Sequence, residues 1–287
     1  MPFRLSHAVA FLTALLVLSA CSGGNRLRYS SAQEAYEKGL SEYEDEDYEM
    51  AVRFFRAVFQ YGRGNEYAED AQFRLAEARE QQRKYLLAAS EYERFSQLYR
   101  SSQRVPIAQF RQANMYFKSS PQYQLDQTDS RKAIALYQLF IERHPQHELV
   151  SKAQKDIRML RGKLAHKKYD AAQLYERRDM YEAAAQTYVS LFDTYPETDW
   201  ADDALLGAVR AYVDFADNSV RSKQEERYQN AIDNYQRLTQ LFPDSPRTKQ
   251  AQPLYSRAQS RVDALQAEDE AQRSIAESDT DGGDTDS

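Results

Sequence analysis

The chain has 287 residues, a formal charge of −6 and a single cysteine, so no internal disulfide framework is available to it. The charge divides unevenly. Residues 267–287 carry eight acids against Arg273, Arg4 is the one charge among residues 1–20, and the body from 22 to 266 is neutral. A neutral body argues against the clustered Lys/Arg stripe of a nucleic-acid binder.

In chain order, residues 1–20 pair Arg4 with an apolar run from Ala8 to Leu18. That run is shorter than the about 20 apolar residues a bilayer span needs, and it has the form of a secretory signal peptide. Leu18-Ser19-Ala20-Cys21 resembles a bacterial lipobox. The resemblance implies that Cys21 begins the mature chain, acylated on sulfur and on its amine. Several acyl chains hold a protein firmly where one binds reversibly. Residues 21–30 read as the lipid-anchored tether. Ser22, in place of the Asp that retains lipoproteins at the inner membrane, implies the periplasmic face of the outer membrane.

Beyond the tether, Gly and Pro are scarce, helix formers dominate, and no stretch alternates with period two. Five segments superimpose on a shared alanine: Ala51, Ala88, Ala133, Ala184 and Ala231. Four residues later each has an aromatic: Phe55, Tyr92, Tyr137, Tyr188 and Tyr235. Pro145, Pro196 and Pro243 follow the last three aromatics by eight residues, and a second alanine lies twenty residues past each first one. Ala and an aromatic four apart share one helical face, and proline ends the helix that carries them. Each unit is therefore expected to be a helical hairpin that buries its apolar face by stacking on its neighbours.

This pattern resembles the tetratricopeptide repeat, with Gly39, Ala76, Ala113 and Ala172 at the small position of the first helix. The expected fold is an all-α tetratricopeptide-repeat superhelix of about five units plus a capping helix. Residues 31–148 form units one to three, 149–267 hold units four and five with the cap, and 268–287 form a disordered acidic tail. Residues 119–130 are expected to interrupt the third unit and 215–227 the fifth. The fourth has a long first helix from about Leu149 to Arg177, and the last helix runs from Pro246 to about Ala267.

No nucleotide-binding, metalloprotease or hydrolase motif is present, and His144, His147 and His166 have no companions to complete a metal site. The expectation is a binding protein with no catalytic residues, no metal and no cofactor. In units one to three the inner face of the first helices should present Tyr36, Tyr43, Phe73, Phe110 and Phe117, with Arg74, Arg111 and Asn114 between them. Aromatic rings with converging guanidinium groups suit a hydrophobic peptide ending in a carboxylate, because the guanidinium fork can hold a carboxylate bidentately.

The lipobox, five elongated repeats and the third-unit insert together resemble the BamD family. Residues 163–205 carry the nearest likeness, through Lys163-Leu164-Ala165, Tyr175, Glu176-Arg177-Arg178, Tyr181 and Tyr195-Pro196-Glu197-Thr198. The likeness spans about residues 26–260. It implies a lipoprotein of the machinery that inserts β-barrel proteins into the outer membrane. Its amino-terminal units would receive the carboxy-terminal segment of an unfolded barrel protein. The region 163–260 would dock the POTRA domains of a BamA-like insertase, and accessory lipoproteins would lie along the amino-terminal part. The other reading is a different periplasmic repeat lipoprotein, acting as an envelope or cell-division adaptor.

Overall fold

The computed structural model describes residues 27–281, so Cys21 and the lipobox lie outside the described residues. Among the described residues every regular element is helical. The order is α1 Ala32–Glu44, α2 Tyr48–Val58, a 3-10 turn Phe59–Tyr61, α3 Ala68–Gln81, α4 Tyr85–Leu98 and α5 Val105–Ser119. Then follow α6 Thr128–Arg143, α7 Val150–Glu176, α8 Tyr181–Thr194, α9 Ala201–Asp217, α10 Arg221–Leu241 and α11 Pro246–Asp281. The chain folds as two compact units, one ending at Lys118 and the other beginning at Ser119.

Local chemistry sets the helix ends. The Ser31 hydroxyl accepts from the Glu34 amide at 3.0 Å, and the Asp47 carboxylate accepts from the Met50 amide at 3.0 Å. Each thereby satisfies a donor that helix geometry leaves open. Three hairpins turn on a left-handed residue, Glu46, Arg83 or Asp179, with φ of 61°, 57° and 58°. In two of them the next amides reach back identically. Arg83 and Lys84 donate to the Glu80 and Arg79 carbonyls, while Asp179 and Met180 donate to those of Glu176 and Tyr175.

Packing follows the repeat. Ala51, Ala88, Ala133, Ala184 and Ala231 are fully buried, as are Phe55, Tyr92, Tyr137 and Tyr188. Burying such a ring contributes about 2 kcal/mol. Small residues let the helices approach: a Cβ on Gly39 would lie 2.7 Å from the Phe55 ring, and one on Gly207 would lie 2.7 Å from that of Tyr188. The first unit builds its core on Val52, Phe55 and Leu75, then on Phe73, Tyr92, Phe95 and Met115. The second builds on Tyr188, Leu191 and Leu205, then on Val213, Tyr228 and Val262.

One inter-repeat clasp recurs in both units. Ser102 bonds Glu69 at 2.7 Å, and Arg104 pairs with Glu69 at 3.1 Å and Asp70 at 2.6 Å. Ser245 bonds Asp202 at 2.6 Å, and Arg247 pairs with Asp203 at 2.6 Å.

The long first helix of the fourth repeat is present as α7, and the third-repeat insert occupies the stretch between α5 and α6. The buried Gln127 amide closes that insert by donating to the Gln122 and Leu125 carbonyls at 2.8 and 3.1 Å. Two expectations need correction. Residues 215–227 are mostly helix: they end α9, turn at 218–220 and begin α10. The stretch expected to open a disordered tail at 268 instead continues α11 to Asp281. Its Ala, Glu, Gln and Arg content favours helix, and no glycine interrupts it before Gly282. Arg221 also holds its start, pairing with Glu268 at 3.2 Å and Asp269 at 2.6 Å.

Candidate functional site

The candidate peptide-binding residues lie on alternate helices of the first unit: Tyr36 and Tyr43 on α1, Phe73 and Arg74 on α3, and Phe110, Arg111, Asn114 and Phe117 on α5. Phe73 and Phe110 are only 7% and 6% exposed. Phe73 belongs to the core beneath the face, edge-on to Tyr92 and Phe95 at 5.7 and 5.2 Å. The guanidinium carbons of Arg104 and Arg111 stand over its ring, 5.1 and 5.5 Å from the centre. Tyr36, Tyr43, Asn114 and Phe117 are half-buried. Tyr36 packs 6.0 Å from Phe55 and 5.6 Å from Tyr67, and Tyr43 meets Tyr48 edge-on at 5.3 Å.

Tyr36, Arg74 and Arg111 are brought into one line of polar contacts across the three helices. The Tyr36 hydroxyl is near enough to Arg74 to act on its charge electrostatically. Arg74 Nη1 lies 2.8 Å from Glu77 Oε2, while Arg111 Nη1 lies 2.7 Å from Glu77 Oε1. Arg111 also donates to the Tyr92 hydroxyl at 2.9 Å, and that hydroxyl donates to Glu80 at 2.9 Å. Lys118 closes the line at 2.7 Å from Glu80. Glu77 is 13% exposed between its two arginines, which keep 43% and 36% of their side-chain surfaces open.

The electrostatics are those of a face whose charges are largely paired. Burial pushes the Tyr92 hydroxyl far above its ordinary value, so it stays a donor despite the nearby Arg111. Burial alone would lower the Arg111 guanidinium, but Tyr92, Glu77 and Glu80 together raise it. No hydroxyl here is primed for attack; the geometry holds charge. Among the described residues, no cluster of three or more His, Cys, Asp or Glu side chains is placed to hold a metal ion.

Glu77, Glu80, Arg104 and the Tyr92 hydroxyl escaped the sequence reading. Arg111 and Glu77 are 34 residues apart, three short of the 37 that separate Ala76 from Ala113, so the repeat spacing alone did not mark the pair.

The second unit repeats part of this arrangement. The Tyr188 hydroxyl donates to Glu176 at 2.9 Å, and Arg210 grips the same carboxylate through Nε and, at 3.0 Å, Nη2, again across 34 residues. The bond to Glu176 raises the Arg210 guanidinium against the effect of burial. The same unit has a cleft of about 740 Å³ between the insert, α7 and the turn after α8. Along it the His166 ring stacks between Tyr123 and Trp200, with ring centres 3.8 and 4.2 Å away. Lys163 secures the insert by donating to the Pro121 carbonyl at 3.0 Å, and Lys167 does so to Gln124 at 3.1 Å.

These features define a class: an all-α protein of tandem helical hairpins, with charge-paired surfaces between repeats. A family model described as outer membrane lipoprotein (YfiO) matches residues 28–226. The outer membrane protein assembly factor BamD of Pasteurella multocida (strain Pm70) is 24% identical over 222 residues, 74% of this chain and 85% of that protein. The protein of the same name from Haemophilus influenzae (strain ATCC 51907 / DSM 11121 / KW20 / Rd) is 23% identical over 219 residues, 73% of this chain and 84% of its own. The chain belongs to the YfiO/BamD family of outer membrane lipoproteins. Among solved structures, the TPR2AB-domain:pHSP90 complex of yeast Sti1 overlaps 88% of this chain and 96% of its own, at 16% identity and a TM-score of 0.40. The P58(IPK) TPR domain overlaps 80% and 66%, at 14% identity and a TM-score of 0.38.

Proposed function

We propose that the chain is a scaffold of the outer-membrane β-barrel assembly machinery, anchored by acylated Cys21 at the periplasmic face and performing no reaction of its own. The family membership and the names of the two relatives support the role. The face of α1, α3 and α5 receives the carboxy-terminal segment of an unfolded barrel protein, with Tyr36, Tyr43, Arg74, Arg111, Asn114 and Phe117 on that face and Phe73 and Phe110 supporting it from the core. Residues 149–267 dock the POTRA domains of a BamA-like insertase, and accessory lipoproteins lie along the amino-terminal part.

The observation that carries the peptide reading is the grip of Arg74 and Arg111 on Glu77, at 2.8 and 2.7 Å. A face that already holds one carboxylate between two guanidinium groups has the chemistry to hold another. Arg74→Gln is the direct test, since Arg74 takes no part in the Tyr92–Glu80 clasp. Binding of a synthetic peptide with a free carboxy terminus should weaken several-fold. Unchanged affinity, with helicity intact by circular dichroism, removes the seat. Docking is tested by detergent pull-down of the full chain: recovery of division or envelope proteins without a POTRA-bearing insertase would favour the adaptor reading.

A further inference from the structure

We infer that Glu77 is a built-in competitor for the carboxylate seat: its side chain fills the two-arginine site and must be displaced when a peptide carboxylate binds. The inference rests on the peptide-binding reading above. Its evidence is the division of labour between Glu77 and Glu80. Glu80 accepts the Tyr92 hydroxyl at 2.9 Å and Lys118 at 2.7 Å, and lies 3.9 Å from Arg111. That clasp recurs in the second unit, where Glu176 alone serves both Tyr188 and Arg210.

Aligning the two clasps on Glu80 and Glu176, and on Ala76 and Ala172, sets Gln173 opposite Glu77 and Asp170 opposite Arg74. The second unit therefore packs the same hairpin without a Glu77 and without a second arginine. Joining the repeats does not require Glu77. What distinguishes it is its position, shared by Arg74 at 2.8 Å and Arg111 at 2.7 Å and paired with no other cation among the described residues.

A resident carboxylate of this kind raises the threshold for occupancy. A stray acidic side chain gains nothing by replacing one carboxylate with another. A ligand whose terminal carboxylate arrives with apolar contacts from its own chain adds a driving force that Glu77 lacks. Glu77 thus confers selectivity and keeps binding reversible, as a protein that hands its ligand on requires.

The test uses the full chain in detergent and one short synthetic peptide with a carboxy-terminal Phe, prepared both as the free acid and as the amide. Glu77→Gln should raise affinity for the acid about fivefold, the scale of one or two partly exposed ion pairs, and leave the amide unchanged. Glu80→Gln, which removes the same charge from the neighbouring clasp, should give no acid-selective gain. If wild type prefers the acid but Glu77→Gln brings no gain, or brings equal gains for acid and amide, the competitor role is overturned while the seat survives. If wild type and both variants bind acid and amide alike, the seat itself fails and the inference falls with it. Glu77→Asp, anionic but a methylene shorter, replaces the amide variant should that one unfold; it should show a smaller gain in the same acid-only pattern.

Discussion

The clasp of α3–α5 and the clasp of α7–α9 use the same three side-chain types differently. Each has a fully buried tyrosine, Tyr92 or Tyr188, whose hydroxyl donates to a glutamate twelve residues earlier, Glu80 or Glu176. Each brings an arginine from the next first helix. In the first clasp Arg111 touches the tyrosine hydroxyl and divides its charge between Glu77 and Glu80. In the second, Arg210 is committed to Glu176. The hairpin needs one carboxylate for this joint. A second carboxylate, with a second arginine on its far side, is added in the first clasp and not in the second. The first repeat supports the same logic from the opposite direction. Phe55 replaces the tyrosine and Tyr43 stands where the glutamate would be, so hydroxyl and carboxylate are absent together.

Substitutions test how far the two clasps are equivalent, with stability read from urea unfolding. The largest effects come from the rings: Tyr92→Ala and Tyr188→Ala each remove a fully buried ring and should cost about 4 kcal/mol, Tyr92→Ala the more because its hydroxyl makes one hydrogen bond more. A gap wider than that one bond explains would mean that the rings do not play equivalent parts. Next, Gly207→Ala drives a Cβ to within 2.7 Å of the Tyr188 ring and should cost about 2 kcal/mol. Position 111 meets Tyr92 through a guanidinium instead, so Arg111→Ala should cost less by the same measurement; the reverse order would sink the distinction.

Removing only the hydroxyls is subtler. Tyr92→Phe breaks two hydrogen bonds and Tyr188→Phe one, so losses of about 2 and about 1 kcal/mol are expected. The smallest effect is a gain. Burial, with Glu176 and Asp217 adding to it, holds the Asp214 carboxyl above the usual aspartate range. The folded state then keeps this proton more tightly than the unfolded state, so stability declines as pH rises from the ordinary aspartate value through the raised one. Asp214→Asn should abolish that decline and stabilise the chain at neutral pH by a few tenths of a kcal/mol. In the alignment that sets Gly207 against position 111, Asp214 falls opposite Lys118, so the first clasp has no acid at that place.

Much of the architecture was legible because it is local. Alanine and an aromatic four residues apart declare a helical face whatever surrounds them, and the shared alanines and four of the five aromatics are fully buried. The long α7 and the break between α5 and α6 were readable for the same reason. The helical character of 221–227 and of 268–281 was not. Polar, charged stretches carry no apolar stripe, and the contacts of Arg221 with Glu268 and Asp269 join residues far apart in the chain.

The candidate face was half legible. Arg74 and Arg111 stand out as basic residues among rings, but Phe73 and Phe110 look just as available in the sequence and are core. Nor does spacing identify the clasping arginine: Arg111 follows Ala108, the alanine twenty residues past Ala88, by three residues, and Arg210 follows Ala204, twenty past Ala184, by six. The amino-acid order by itself determined the hairpins, their small-to-large packing and the family, since each depends on short-range periodicity or on residues read directly. Which carboxylate meets which guanidinium was settled by the packing of the helices. Long charged side chains find partners a whole repeat away, and that choice depends on how stacked helices bring their surfaces together.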